Sequence, residues 1–204
     1  MALRSTLKIT LPILSLLLFL ACSDKPAGAE ETPEADKKEL TAADILGNPD
    51  YPAISFGGYR DTTREIQPTV EQLKEDMQIL AAMGIKVLRT YHTERPHASN
   101  VLEAIHQLKQ EDPEFEMYVM VGAWINCKDA FTDKPDHEGE DEETNAAEVN
   151  KAVAMAKKYP DIVKILAVGN EAMVKWQAGY HVQAGVILKW VNFLQELKAS
   201  GDLP

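Results

Sequence analysis

The chain has little cysteine, a deficit of positive charge and almost no long apolar runs. Its two cysteines, Cys22 and Cys127, are too few for a disulfide framework. Its 21 basic residues face 32 acidic ones, for a formal net charge of −11. That balance excludes nucleic acid and anionic polysaccharide as natural partners, and it suits a neutral substrate. The five histidines are scattered. His92 and His97 lack helical metal-ligand spacing, and His137-Glu138 is not a zincin motif. The acidic stretch that includes Asp133, Asp136 and Glu138 fails as an EF-hand. Setting Gly139 at the obligatory glycine puts Lys134 at the first ligand and Asn145 at the last. It reads as a solvated acidic loop, and no metal or other cofactor is expected.

The one long apolar run, residues 9–20, follows Arg4 and Lys8 and ends at Ala21-Cys22. It has signal-peptide length rather than membrane-spanning length. A small residue directly before Cys22 is the pattern of a bacterial lipoprotein signal, with Phe19 where leucine is usual. Residues 1–21 are therefore expected to be a lipoprotein signal peptide and Cys22 the lipidated first residue. The expected location is the bacterial cell envelope, with the membrane reached through the N-terminal lipid. A plain secretory signal is the alternative. Without the two leader cations the net charge becomes −13. Residues 22–40, rich in Ala, Pro, Glu and Lys with no apolar periodicity, are expected to be a disordered tether. A lipidated Cys22 leaves Cys127 without an intramolecular partner. With no histidine near it in sequence, Cys127 reads as a half-buried loop thiol rather than a nucleophile.

Residues 41–204 form the folded part. Strand-like runs are expected at residues 52–56, 85–91, 117–123 and 163–168, each followed by an amphipathic helix. In the first helix, Thr69 and Gln72 make a capping box, Val70, Leu73, Met77 and Leu80 share a face, and Gly84 ends the run. The second helix, residues 100–110, turns Val101, Leu102, Ile105 and Leu108 inward. The third strand is apolar without alternation, as in a parallel strand covered on both faces. After an acidic loop at residues 129–143, Asn145 and Glu148 cap the next helix, and Tyr159-Pro160 stops it. The last helix carries Ile187, Trp190, Val191, Leu194 and Leu197 and ends at Ser200-Gly201. Strict alternation predicts an α/β fold with a parallel sheet. Gly57-Gly58 is not a phosphate loop of a doubly wound fold. The expected architecture is a (β/α)8 TIM barrel, of which only about the first four βα units are present, since a full barrel takes about 250 residues.

In such a fold, chemistry sits at the carboxyl ends of the strands. The fourth strand ends in Gly169-Asn170-Glu171, a carboxylate beside a carboxamide, followed by helix-compatible residues 172–176. Glu171 is the principal catalytic candidate and Asn170 can grip a ligand hydroxyl, a pairing that suits glycosidic bond chemistry. The alternative for Glu171 is a helix-first-turn carboxylate placed by the helix dipole. Tyr59 and Arg60, Arg89 to His92, and Trp124 with Asn126 end the other strands. Tyr91 and Trp124 are sugar-stacking platforms or ordinary packing. Arg89 orders the site from within or forms a structural ion pair.

Taken together, Ser55-Phe56-Gly57-Gly58-Tyr59-Arg60, Leu88-Arg89-Thr90-Tyr91, Gly122-Ala123-Trp124-Ile125 and Val168-Gly169-Asn170-Glu171 resemble glycoside hydrolase family 17. The likeness is to its bacterial β-1,3-glucanase-like members, over residues 51–204. The resemblance implies a (β/α)8 barrel, a retaining mechanism, no metal and a β-glucan as partner. Glu171 would be the general acid/base, and Asn170 would contact the sugar 2-hydroxyl. Tyr59 and Tyr91 would line the cleft. A retaining enzyme needs two carboxyl groups about 5–5.5 Å apart. The family's nucleophile is a Glu on a later strand, which nothing here matches; Glu94 and Asp61 are not in its position. Two classes remain open: an N-terminal fragment of a β-1,3-glucan hydrolase or transglycosylase, inactive alone, or a non-enzymatic envelope glucan-binding lipoprotein on a half-barrel.

Overall fold

The protein's computed structural model describes residues 40–204. The expected signal segment, Cys22 and nearly all of the expected tether lie outside the described residues. A short helix α1 (Ala42–Ile45) leads into four parallel strands, each followed by a helix. These are β1 (Ala53–Ser55) with α2 (Val70–Ala82), and β2 (Val87–Arg89) with α3 (His97–Glu111). Then come β3 (Tyr118–Ala123) with α4 (Glu142–Lys158), and β6 (Val163–Val168) with α5 (Ala184–Ser200). Between β3 and α4 a small antiparallel pair is inserted, β4 (Cys127–Lys128) and β5 (Asp136–Glu140). The strand order β1-β2-β3-β6, parallel throughout, is the α/β sheet expected from alternation.

The helices begin where local chemistry dictates. Thr69 Oγ1 accepts from the Gln72 amide at 3.3 Å, and Gln72 Oε1 accepts from the Thr69 amide at 3.0 Å, closing the capping box of α2. Gly84 then takes φ +84°, a left-handed conformation that glycine holds at no steric cost. Gly201 does the same after α5. Helix α4 differs from the sequence reading. Its N-cap is Asp141, whose Oδ1 accepts from the Thr144 amide at 3.2 Å, so it starts four residues earlier. Asn145 and Glu148 are buried inside it rather than capping it. The acidic segment before it is not a plain loop either. Glu140 on β5 accepts from Lys189 and, at 3.0 Å, from Trp190 Nε1, both on α5, and that anchors the β4–β5 pair. Burial pushes the Glu140 carboxyl upward, but hydrogen bonds from Lys189, Trp190 and Asn145 outweigh it and hold the group below the ordinary carboxylate range.

The core lies around β2 and β3. Leu73 and Met77 of α2, Leu102 and Ile105 of α3, Leu88 of β2 and Val121 of β3 are completely buried in one cluster. Each contributes about 1.5–3 kcal/mol relative to exposure. On β3, Val119, Val121 and Ala123 are buried, whereas Tyr118 and Met120 on the opposite face are only half-buried. The double-sided cover expected of this strand is therefore complete on one face only. The outer strands are more open: β1 is exposed along its length, and β6 is half-buried from Lys164 onward. Gly122 on β3 leaves no room for a side chain, since a Cβ there would lie 2.5 Å from the carbonyl oxygen of Thr90, just past β2. Cys127 is buried within β4, not in a loop, and burial pushes its thiol pKa up, which removes it from nucleophilic chemistry.

Candidate active site

Because the four strands are parallel, their carboxyl ends share one rim. Tyr59 follows β1, Tyr91 follows β2, Trp124 follows β3, and Asn170 with Glu171 follows β6. Two groups form along this rim, and Tyr59 belongs to neither.

The first group joins β2 to β6. Arg89 Nη2 donates to Asn170 Oδ1 at 2.8 Å, and the Arg89 guanidinium lies 5.6 Å from the Tyr91 ring centroid. Asn170 thus spends its oxygen on Arg89 and keeps its two N–H donors for something else. Of the two readings of Arg89, the contact to a strand-end amide is the one the geometry contains; no carboxylate pairs with it among the described ion pairs.

Glu171 follows directly and is exposed. No helix succeeds it. Residues 171–177 form turns and bends, a single 3-10 turn spans Ala178–Tyr180, and α5 begins only at Ala184. The helix-dipole reading of this carboxylate falls with that geometry. The cause is local: Gly169 at φ +80° and Glu171 at φ +52° both depart from helical backbone. The loop is pinned behind them, since the Ala172 carbonyl accepts from the Val182 amide at 2.6 Å and both residues are buried.

The second group surrounds Trp124. Its Nε1 donates to Asn126 Oδ1 at 2.7 Å. Asn126 is itself locked to α4, donating its amide to Asn145 Oδ1 at 2.7 Å and accepting from Asn145 Nδ2 at 2.9 Å. Glu148, one turn further along α4, is 4% exposed. Its Oε2 accepts from the Thr93 amide at 2.8 Å, the Thr93 hydroxyl at 3.0 Å and the Trp124 amide at 3.1 Å. One buried carboxylate therefore fixes the ends of β2 and β3 together. Sequence reasoning missed this role, because a Glu three residues after an Asn mimics a capping pair. Tyr180 stands edge-on to Trp124 at 5.2 Å, and Phe131 lies 6.3 Å from Trp124. Neither ring was singled out from the sequence, since both sit in segments without periodicity.

Tyr59 packs on His97, with centroids 5.4 Å apart and planes 25° apart, and the Arg64 guanidinium lies 6.0 Å from its ring. Its surroundings are those of packing, apart from Asn170 and Trp124. His97 opens α3, is 2% exposed, and also meets Phe56 at 5.8 Å. Its ring is hydrogen-bonded to the Gly57 backbone while Nε2 has no partner. Burial, with the neighbouring His92 and against that hydrogen bond, lowers its pKa to about 4.

The rim thus carries an exposed carboxylate beside an oriented carboxamide in one group and a cluster of aromatic rings in the other. The solved crystal structure of an endo-laminarinase from Formosa Hel1_33_131 is similar to this chain, with 62% sequence identity and a TM-score of 0.77. The likeness covers 80% of this chain and 42% of that one, so this chain spans less than half of that protein's length. No protein-family model and no curated protein matches.

Proposed function

We propose that these four βα units are the N-terminal part of a retaining (β/α)8 glycoside hydrolase of family 17 that cleaves or transfers β-1,3-glucan. The observation that carries this reading is the 62% identity to an endo-laminarinase across four-fifths of the chain. The site supports it chemically. Glu171 is the general acid/base, protonating the leaving glycosidic oxygen and later activating water or an acceptor sugar. Asn170, oriented by Arg89, turns its free N–H donors to a sugar hydroxyl next to the reacting carbon. Tyr91 and Trp124 offer ring faces to the pyranose. The nucleophilic carboxylate comes from a later βα unit, beside the open edge of β6. Export and anchoring through Cys22 complete the proposal, and loss of membrane partitioning in Cys22→Ala tests that part.

The functional test joins residues 40–204 to the C-terminal remainder of the Formosa enzyme. The chimera is expected to release reducing sugar from laminarin, and Glu171→Gln in it to abolish release. A folded chimera that leaves laminarin intact, or one indifferent to Glu171→Gln, overturns the reading.

A further inference from the structure

Helix α4 holds Trp124 at both ends. The Trp124 backbone amide donates to Glu148 Oε2 at 3.1 Å, and the indole Nε1 donates to Asn126 Oδ1 at 2.7 Å. Asn126 is in turn clamped at two points by the Asn145 side chain, which accepts from the Asn126 amide and donates to the Asn126 carbonyl. Asn145 and Glu148 lie three residues apart in α4 and are 0% and 4% exposed, while Val149, Ala152 and Val153 on the same buried face are apolar. A buried carboxamide and a buried carboxylate carry a desolvation cost that packing alone would not require. Both spend their hydrogen bonds on residues 124 and 126.

The bond between the indole and Asn126 has a narrower effect than the others. Glu148 and Asn145 already fix the backbone at residues 124 and 126, and Ile125 between them is buried in the core. A side-chain bond between two residues whose backbone is pinned adds nothing to the path of the chain. It decides only where the indole plane stands.

We infer that Asn126 is a positioning residue, which sets the plane of the Trp124 indole and acts on the substrate through that ring rather than by touching the sugar. This rests on the β-1,3-glucan reading, in which Trp124 offers a ring face to a pyranose. An indole free to turn loses rotamer freedom when a sugar packs on it, and one tied to Asn126 has lost that freedom on folding, so binding costs less. Asn145 supplies the fixed point, through the backbone of Asn126.

The test is a double-mutant cycle read by calorimetric titration of the full chain with a long β-1,3-gluco-oligosaccharide, with thermal melts verifying folding. Asn126→Leu removes the acceptor at nearly constant size and is expected to bind about fivefold more weakly, the loss of one neutral hydrogen bond. Should it fail to fold, Asn126→Ala takes its place. Trp124→Phe keeps a ring without the N–H and should lose at least as much. Adding Asn126→Leu to Trp124→Phe should cost nothing further, and Asn126→Asp, which keeps an acceptor oxygen, should stay within about twofold of wild type. A readout without glucan is the Trp124 indole proton in NMR, identified by its absence from Trp124→Phe: it should exchange faster with solvent in Asn126→Leu and not in Asn126→Asp. Losses that multiply in the double variant would mean that Asn126 touches the sugar itself. That result, wild-type affinity in Asn126→Leu or Trp124→Phe, or unchanged exchange in Asn126→Leu overturns the inference and leaves the glucan reading standing. A wild-type chain that binds no β-1,3-glucan overturns both.

Discussion

Acid should weaken this fold through a single buried ring. His97 is enclosed by Phe56, Tyr59 and the neighbouring His92, with Nε2 unpartnered. Its pKa falls from an ordinary 6.5 to about 4 in the folded chain. Between those values the unfolded chain binds a proton that the folded chain refuses, so stability rises with pH across this window and is lost as pH falls through it. A displacement of that size corresponds to roughly 3 kcal/mol. For a domain of this length that is about 6–12 °C in melting temperature. His92 is lowered as well, chiefly by burial, and adds in the same direction. The assay is thermal unfolding of residues 40–204 from pH 7 to pH 4, for wild type and His97→Gln. The variant starts lower because it loses packing on Phe56 and Tyr59, but its curve against pH should be flatter by most of that amount. Parallel curves would refute the reasoning, whatever their vertical offset.

Three further outcomes are expected. Glu148→Ala strands the Thr93 and Trp124 amides and should cost roughly 2–5 kcal/mol in urea unfolding, with Glu148→Gln losing less. Gly122→Ala forces a methyl to within 2.5 Å of the Thr90 carbonyl and should cost at least about 1–3 kcal/mol or prevent folding; soluble yield and melting temperature read this out. On the proposed reading of Glu171 as general acid with its nucleophile on a later unit, the chain on its own should release no reducing sugar from laminarin, because the covalent route is lost. Release that disappears in Glu171→Gln would contradict this.

The sheet was legible because its signals are local. The apolar run on β3, the Thr69–Gln72 capping box and the glycine stops each encode an element within a few residues, and alternation of the elements implies parallel pairing. Arg89, Asn170 and Glu171 were legible as strand-end residues for the same reason. What escaped depends on distant partners. The β5 strand is Asp-His-Glu-Gly-Glu, with no apolar face to announce it, and its anchor to Lys189 and Trp190 spans about fifty residues. Glu148 looked like a cap because its true partners, Thr93 and Trp124, are invisible at short range. Phe131 and Tyr180 gave no periodic signal because the folding of two separate loops brings them together.

The left-handed backbone at Glu171 has an evolutionary consequence. Glycine holds such a conformation freely, and asparagine more readily than glutamate does, so the fold by itself favours replacing this residue. The mutations that would silence the proposed chemistry here are therefore the ones folding selection would welcome, by up to about 1 kcal/mol each. A Glu171→Gly chain melting no higher than its parent would show that the neighbours relieve the strain. Otherwise, on the proposed reading, a lineage released from the need to cut glucan is expected to lose this carboxylate early and keep a sounder protein.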